Sequence, residues 1–308
     1  MIWGLTISYK KRMKSKLKVG IVGTGNIGTD LLFKISRSDY LETTLFMGRR
    51  PDSKGITIAK EMGIRTSTDS IHELERDPDL CDLVFDATSA KVHLENAKIL
   101  ERLGKYAIDM TPARVGKMCV PSVNLDDCLK SRNVNMITCG GQGTIPIIAA
   151  IHRIQPGIRY VEVVASIAAK SAGTGTRQNI DEFTQTTKEA IQEIGGIANA
   201  KAIITLNPAE PPKIMHNTIF MLIDDPDMEK IKQAVFAMEK EVQKYVPGYK
   251  VVLPPTFENG RVTTMVEVTG AGDYLPAYSG NLDIISCAAV RVAEKYAQSI
   301  LAGKGETL

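Results

Sequence analysis

Three groups of residues in this 308-residue chain have the types and spacing to do chemistry. The run Gly23-Thr24-Gly25-Asn26-Ile27-Gly28 lies between an apolar stretch at 17–22 and a segment with Leu31, Leu32 and Ile35 on one helical face. Glycines so spaced let the chain turn sharply after a strand and carry backbone N–H groups up to a pyrophosphate at a helix N-terminus, so the loop reads as a dinucleotide cradle. About twenty residues on, where an Asp or Glu would hold the ribose of NAD, stand Gly48-Arg49-Arg50. Two guanidinium groups there are either a seat for the 2′-phosphate of NADP or solvated loop charges, and the cofactor reads as NAD or NADP. The third group surrounds Cys139, in Thr138-Cys139-Gly140-Gly141-Gln142-Gly143, at the junction of a buried strand and a helix. Helix N-terminal N–H groups favour a thiolate and can receive an oxyanion, the two needs of a cysteine that attacks a carbonyl. A nucleotide site and a nucleophilic cysteine in one chain point to aldehyde oxidation through a thioester, or its reversal.

These residues need a scaffold, and the hydrophobic pattern supplies one. Short apolar strands at 17–22, 44–48, 83–87, 106–110 and 134–138 alternate with helical stretches near 54–62 and 92–103, the signature of βαβ units and a parallel sheet. After Cys139 the texture changes. A helix is expected from about 144 to 154, then longer strands at 159–170, 202–206, 214–223, 249–253 and 261–269, with helices at 180–194 and 227–245. Long strands with few crossovers imply a mostly antiparallel sheet covered by helices. A last helix, 282–301, carries Ile284, Ile285, Ala288, Ala289 and Val292 and should return to the first sheet. The expected organisation is an N-terminal extension (1–16), a dinucleotide-binding domain (17–139 with 282–308) and a catalytic and dimerisation domain (140–281).

Composition narrows the classes. The chain is 44% hydrophobic and 24% charged with a net charge of +3, which fits a folded globular protein and offers no basic surface for nucleic acid. No apolar run reaches the length of a membrane span, and the positive charges at 10–16 follow the first apolar residues, the reverse of a secretory signal. Five widely spaced cysteines form neither a disulfide framework nor a metal-binding pair, so a cytoplasmic home is expected. Cys81, Cys119, Cys128 and Cys287 read as buried filler, and His72, His93 and His152 as structural.

The motifs Gly25-Asn26-Ile27-Gly28-Thr29-Asp30-Leu31, Asp86-Ala87-Thr88-Ser89-Ala90, Ala107-Ile108-Asp109-Met110-Thr111-Pro112-Ala113, the cysteine loop, Ser171-Ala172-Gly173, Asn179-Ile180-Asp181-Glu182-Phe183-Thr184, Asn207-Pro208-Ala209-Glu210-Pro211-Pro212 and Gly280-Asn281-Leu282-Asp283-Ile284 span nearly the whole chain. Together they resemble the acylating acetaldehyde dehydrogenase family, the partners of 4-hydroxy-2-oxovalerate aldolase in meta-cleavage degradation of aromatic compounds. The resemblance implies an α/β fold, a Rossmann domain plus an α+β domain of the glyceraldehyde-3-phosphate dehydrogenase type that mediates a homodimer. It implies that Cys139 is the nucleophile, that Asn281 lies against the nicotinamide, and that a small aldehyde such as acetaldehyde or propanal is oxidised and handed to coenzyme A.

The chain departs from that family in two places. An acid usually follows the second strand where Arg49-Arg50 stand here. The family also usually reads Arg-Asp-Thr after the Pro-Pro stretch, its Asp being a candidate general base, where this chain has His216-Asn217-Thr218. Asn217 cannot take a proton; His216 can, and enters as the candidate base beside it. Thr88 and Ser89, at the end of a parallel strand, are candidate cofactor contacts or helix caps, with Asp109 and Thr111 in the same position one strand over. Ser171, Gly173, Thr174 and Asn179 are candidates for the nicotinamide or acyl pocket. Two other readings are kept: a semialdehyde or acyl-phosphate reductase, which would need arginines such as Arg114, Arg153 or Arg177 at the site, and a nucleotide-binding subunit without catalysis.

Overall fold

The computed structural model describes residues 16–173, 176–177 and 180–303. In its first half β1 (Leu17–Val22), α1 (Asn26–Ser36), β2 (Leu41–Met47), α2 (Lys54–Glu61), β3 (Arg65–Ser67), α3 (His72–Arg76), β4 (Leu83–Asp86), α4 (Ala90–Arg102), β5 (Tyr106–Asp109), β6 (Lys117–Met118), α5 (Pro121–Cys128) and β7 (Asn133–Asn135) follow one another. The seven strands form a sheet in the order β3-β2-β1-β4-β5-β7-β6, and every pair in it is parallel. The chain winds outward to one side through β2 and β3, then crosses back to β4. The crevice beyond the C-terminal ends of β1 and β4 is therefore the switch point where open α/β sheets bind nucleotides.

From Cys139 the chain leaves this sheet through α6 (Cys139–Ile154) and builds β8 (Tyr160–Ala168), α7 (Ile180–Glu193), β9 (Ala200–Asn207), β10 (Met215–Leu222), α8 (Met228–Gln243), β11 (Tyr249–Glu258), β12 (Arg261–Val268) and α9 (Gly280–Gly303). The second sheet has the order β11-β12-β10-β8-β9, antiparallel except for β8 beside β9. Strand alternation gives it two unlike faces: Met215, Asn217, Ile219 and Met221 of β10 are buried in a core with α6 and α8, while His216, Thr218, Phe220 and Leu222 face the other way, half-covered. The last helix joins the two halves. Ile284 sits in the second core, whereas Ile285, Ala288, Ala289, Val292 and Tyr296 pack in the first, as the expected return of this helix requires.

Two local outcomes differ from the sequence expectation. The strand foreseen at 134–138 ends at Asn135, because the Asn135 side chain accepts the Ile137 N–H at 2.8 Å and Ile137 turns left-handed at φ +54°. The helix foreseen from about 144 begins instead at Cys139, capped by Thr138, whose hydroxyl accepts from the Gly141 N–H at 3.0 Å. Glycine is a poor helix former, so Gly140, Gly141 and Gly143 read as loop. Their reason is proximity: a Cβ on Gly140 would stand 2.8 Å from Phe183 Cζ, and one on Gly143 2.4 Å from Asn217 Nδ2.

Candidate active site

The glycine loop has the geometry of a phosphate cradle. Gly23, at φ +108°, lies so near β4 that a Cβ would meet the Ala87 carbonyl oxygen at 2.4 Å, and one on Gly28 would meet the Gly23 oxygen at 1.8 Å. Gly25 caps α1 and has nothing within 4 Å of its Cβ position, which leaves the helix N-terminus open to an anion. Ile27, on the first turn of α1, lines a cavity of about 130 Å³ beyond the C-terminal ends of β4 and β5. Thr88, Ser89, Thr111, Phe183 and Asn281 share that cavity with Cys139. The loop after β1, the ends of β4 and β5, the start of α6 and the start of α9 thus converge on one sulfur.

Cys139 occupies the first turn of α6, half-buried, and the helix start is held from both sides. Gln142 Nε2 donates to the carbonyls of Cys119 (2.7 Å) and Met136 (2.9 Å) in the first half, and Tyr249 donates its hydroxyl to the Gly143 carbonyl (2.7 Å) from the second. Burial pushes the Cys139 thiol up to about 12, against the backbone N–H groups of Gly140 and Cys139, which favour the thiolate. The helix start thus favours the thiolate as the sequence suggests, and desolvation opposes it with the larger influence.

Neither His216 nor Asn217, the pair at the family's general-base position, lines this cavity. His216, on the outer face of β10, has its Nδ1 3.4 Å from the Ile214 carbonyl. Asn217 points inward, fully buried against Gly143, with both amide atoms unpartnered. Adjacent residues of a strand face opposite ways, so the titratable member of the pair is turned from the cysteine and the inward one cannot titrate. Ser171 is buried and donates to the Ala168 carbonyl at 2.8 Å, away from the cavity walls. Gly173 stands with nothing near its Cβ position, and Thr174 and Asn179 lie outside the described residues. Thr176, between them, does line the cavity.

Ser89 is the N-cap residue of α4 but makes no capping hydrogen bond, and its neighbour Thr88 is tied back to Asp86. Asn281 is buried at the cavity with its Oδ1 unpartnered, a polar atom left for a ligand to satisfy. Arg49 and Arg50 are exposed on the loop after β2, which is drawn toward the glycine cradle: Ser53 donates to the Thr24 hydroxyl at 3.0 Å. An acid missed in the sequence reading stands there too, Asp52, engaged by Arg50 at 3.0 Å. Phe183 and Pro112 were also missed, since an apolar wall has no signal that separates it from core.

A family model described as "Semialdehyde dehydrogenase, NAD binding domain" matches residues 18–130, and one described as "Prokaryotic acetaldehyde dehydrogenase, dimerisation" matches residues 139–276. The acetaldehyde dehydrogenase 2 of Metapseudomonas furukawaii is 52% identical over 297 residues, covering 95% of this chain and 97% of that protein. The chain belongs to the acetaldehyde dehydrogenase family. The family member from Geobacillus stearothermophilus is likewise 52% identical, over 94% of this chain and 99% of its own length. Among solved structures, aspartate semialdehyde dehydrogenase II from Vibrio cholerae superposes with a TM-score of 0.63 at 15% identity, over 91% of this chain and 98% of that one. The aspartate semialdehyde dehydrogenase of Candida albicans, solved with NADP, gives 0.65 at 13%, over 92% and 99%. Both show the shared fold, a Rossmann half joined to a second α/β half.

Proposed function

We propose that this protein is an acylating acetaldehyde dehydrogenase in which Cys139 carries the acyl group: acetaldehyde, coenzyme A and NAD or NADP in the oxidised form yield acetyl-CoA, the reduced nucleotide and a proton. The observation that carries the reading is a cysteine at a helix start, in a cavity that adjoins the nucleotide crevice and has no charged wall among the described residues. In the proposed cycle the Cys139 sulfur adds to the aldehyde carbonyl, forming a C–S bond and a hemithioacetal. Loss of hydride from that carbon to the oxidised nucleotide, with release of the hydroxyl proton to solvent, leaves a thioester, and the coenzyme A thiolate displaces the Cys139 thiolate from it. The N–H groups at the start of α6 face the oxyanion of both additions. Gly23, Gly25 and Gly28 with Thr24 and Asn26 cradle the pyrophosphate, Ile27, Thr88 and Ser89 border the nicotinamide end, and Asn281 receives its amide. The oxidised nicotinamide, when bound, supplies hydride acceptance and a positive charge, which opposes the desolvation that keeps the thiol protonated.

The absence of charge on the described walls favours a small neutral aldehyde, acetaldehyde or propanal, over a semialdehyde bearing a carboxylate. The arginines such a reductase would need are occupied elsewhere: Arg114 pairs with Glu189, and Arg177 donates to the carbonyls of Ala169 and Ala172. We assign residues 17–139 and 282–308 to nucleotide binding and 140–281 to catalysis and dimerisation. A homodimer is supported by the dimerisation model matched over residues 139–276, and we place its interface on the half-covered face of the second sheet. A 4-hydroxy-2-oxovalerate aldolase partner is proposed from the motif resemblance. No described helix is long and apolar enough to cross a membrane, and all five cysteines are free, which supports a reducing, cytoplasmic setting.

The test is nucleotide reduction with acetaldehyde, run with coenzyme A and then with inorganic phosphate in its place. Reduction that depends on coenzyme A is the expected result. Dependence on phosphate would replace the reading with an acyl-phosphate reductase, and tight nucleotide binding without turnover would replace it with a binding subunit.

A further inference from the structure

Behind the cavity lies a buried polar cluster that the cycle above does not use. His93, on α4, is completely buried between the carboxylates that end two neighbouring strands: its Nδ1 is 2.8 Å from Asp86 Oδ2 and its Nε2 is 3.4 Å from Asp109 Oδ2. Asn96 Nδ2 donates to Asp86 Oδ2 at 2.8 Å, and the Asn133 amide, whose Oδ1 has no other partner, stands 3.4 Å from His93 Nε2 and accepts from it with the amide turned over. A ring with a carboxylate at each nitrogen is best satisfied when both nitrogens carry protons. Burial alone would lower the ring's pKa, but the two acids outweigh it and hold it above the ordinary value, while burial lifts Asp109 to about 6.

The same carboxylates reach forward to the walls around Cys139. Asp86 Oδ1 accepts from the Thr88 N–H at 3.0 Å and from its hydroxyl, and Asp109 Oδ1 accepts from the Thr111 N–H at 2.8 Å. Asn135 donates to Asp109 Oδ2 (2.7 Å) and to the Thr111 carbonyl (2.8 Å), and through its own Oδ1 accepts the Ile137 N–H. That last bond holds the left-handed turn two residues before the cysteine, a conformation that costs a β-branched residue and persists only where its surroundings enforce it.

We infer that His93 is a positioning residue: as a buried cation between Asp86 and Asp109 it fixes Thr88, Thr111 and the Asn135–Ile137 turn, and through them the placement of Cys139 against its substrate. The inference rests on Cys139 as the nucleophile. His93 itself is fully buried and does not line the cavity.

The experiment compares three variants, His93→Gln, His93→Gln with Asp109→Asn, and Asn135→Ser, by melting temperature, by kcat and KM, and by the rate at which iodoacetamide labels Cys139, read from its peptide mass. His93→Gln strands two buried acids, so both melting temperature and kcat should fall. Adding Asp109→Asn removes one stranded charge and should restore the melting temperature but leave kcat depressed by on the order of 10- to 100-fold, with KM for the nucleotide little changed. Asn135→Ser, which leaves the charges alone, should lower kcat by a similar factor and shift the labelling rate. Recovery of kcat in step with melting temperature, or wild-type kcat and labelling in Asn135→Ser, would overturn the inference. Failure of the thioester reading is seen separately, as turnover that survives Cys139→Ser.

Discussion

At Cys139 two opposed influences meet, the N–H groups of a helix start and the desolvation of a pocket with no charged wall among the described residues, and the second is larger. With the thiol held up at about 12, the thiolate fraction in the unliganded protein should rise roughly tenfold per pH unit. Iodoacetamide labelling of Cys139 should therefore climb between about pH 7 and pH 10 without levelling; a plateau near neutrality would show a thiolate already formed. The sequence made this cysteine legible because its glycine neighbours set it apart from the four others, but it showed only the helix start that favours the thiolate, not the opposing desolvation, which depends on walls contributed by distant elements. The general base was not legible for the same reason: His216 and Asn217 are adjacent in the chain, and only the strand's facing separates them. At the opposite end of the crevice, Arg49→Asp should lower kcat/KM with NADP by about tenfold or more while sparing NAD, the loss expected for one charge-assisted contact. Equal loss with both nucleotides would remove Arg49 from 2′-phosphate recognition.

At the scale of elements, close approach explains what propensity does not. The first turns of α6 carry three glycines because they pass Phe183, Ile137 and Asn217 too closely for side chains. The βα turn after β1 follows the same logic and was legible, since glycine spacing there belongs to a recurrent motif whose three positions each have a physical cause. Gly28→Ala places a methyl group 1.8 Å from the Gly23 carbonyl oxygen, a backbone atom that moves only with the loop. It should destabilise the protein by about 1–3 kcal/mol or more, read by urea unfolding, and weaken nucleotide binding. Wild-type stability and nucleotide affinity together would mean that the loop relaxes freely. The strands β3 and β6 escaped the sequence reading, being too short to show a period, and so did α5, which is broken by non-helical backbone at Asn124.

For the whole molecule, α9 is the part that makes one site from two halves. Its return to the first sheet was legible from its apolar face, but not that Ile284 and Ile285, side by side in sequence, enter different cores. The helix is fastened to α1 by Lys34, whose side chain is 4% exposed and pairs with Asp30 (3.0 Å), Asp283 (2.7 Å) and Asp273 (3.2 Å), the last also held by Arg37. Burial opposes the lysine's charge, yet the acids around it hold its pKa above the ordinary value. Lys34→Ala would leave Asp30 and Asp283 buried without their cation, at a cost of about 3–5 kcal/mol in chemical unfolding. Since Asn281 lies two residues before Asp283, it should also loosen nucleotide binding; an unchanged unfolding midpoint would show that the cluster is dispensable.

The central claim is a covalent one, that the acyl group rides on Cys139 between aldehyde and coenzyme A. The most direct measurement is peptide mass mapping after the protein is mixed with acetaldehyde and oxidised nucleotide, without coenzyme A, and quenched in acid. The account predicts one acetyl group on the Cys139 peptide, discharged when coenzyme A is added before the quench and absent in Cys139→Ser. An unmodified Cys139 peptide although nucleotide has been reduced, or turnover with coenzyme A that survives the serine substitution, would contradict it.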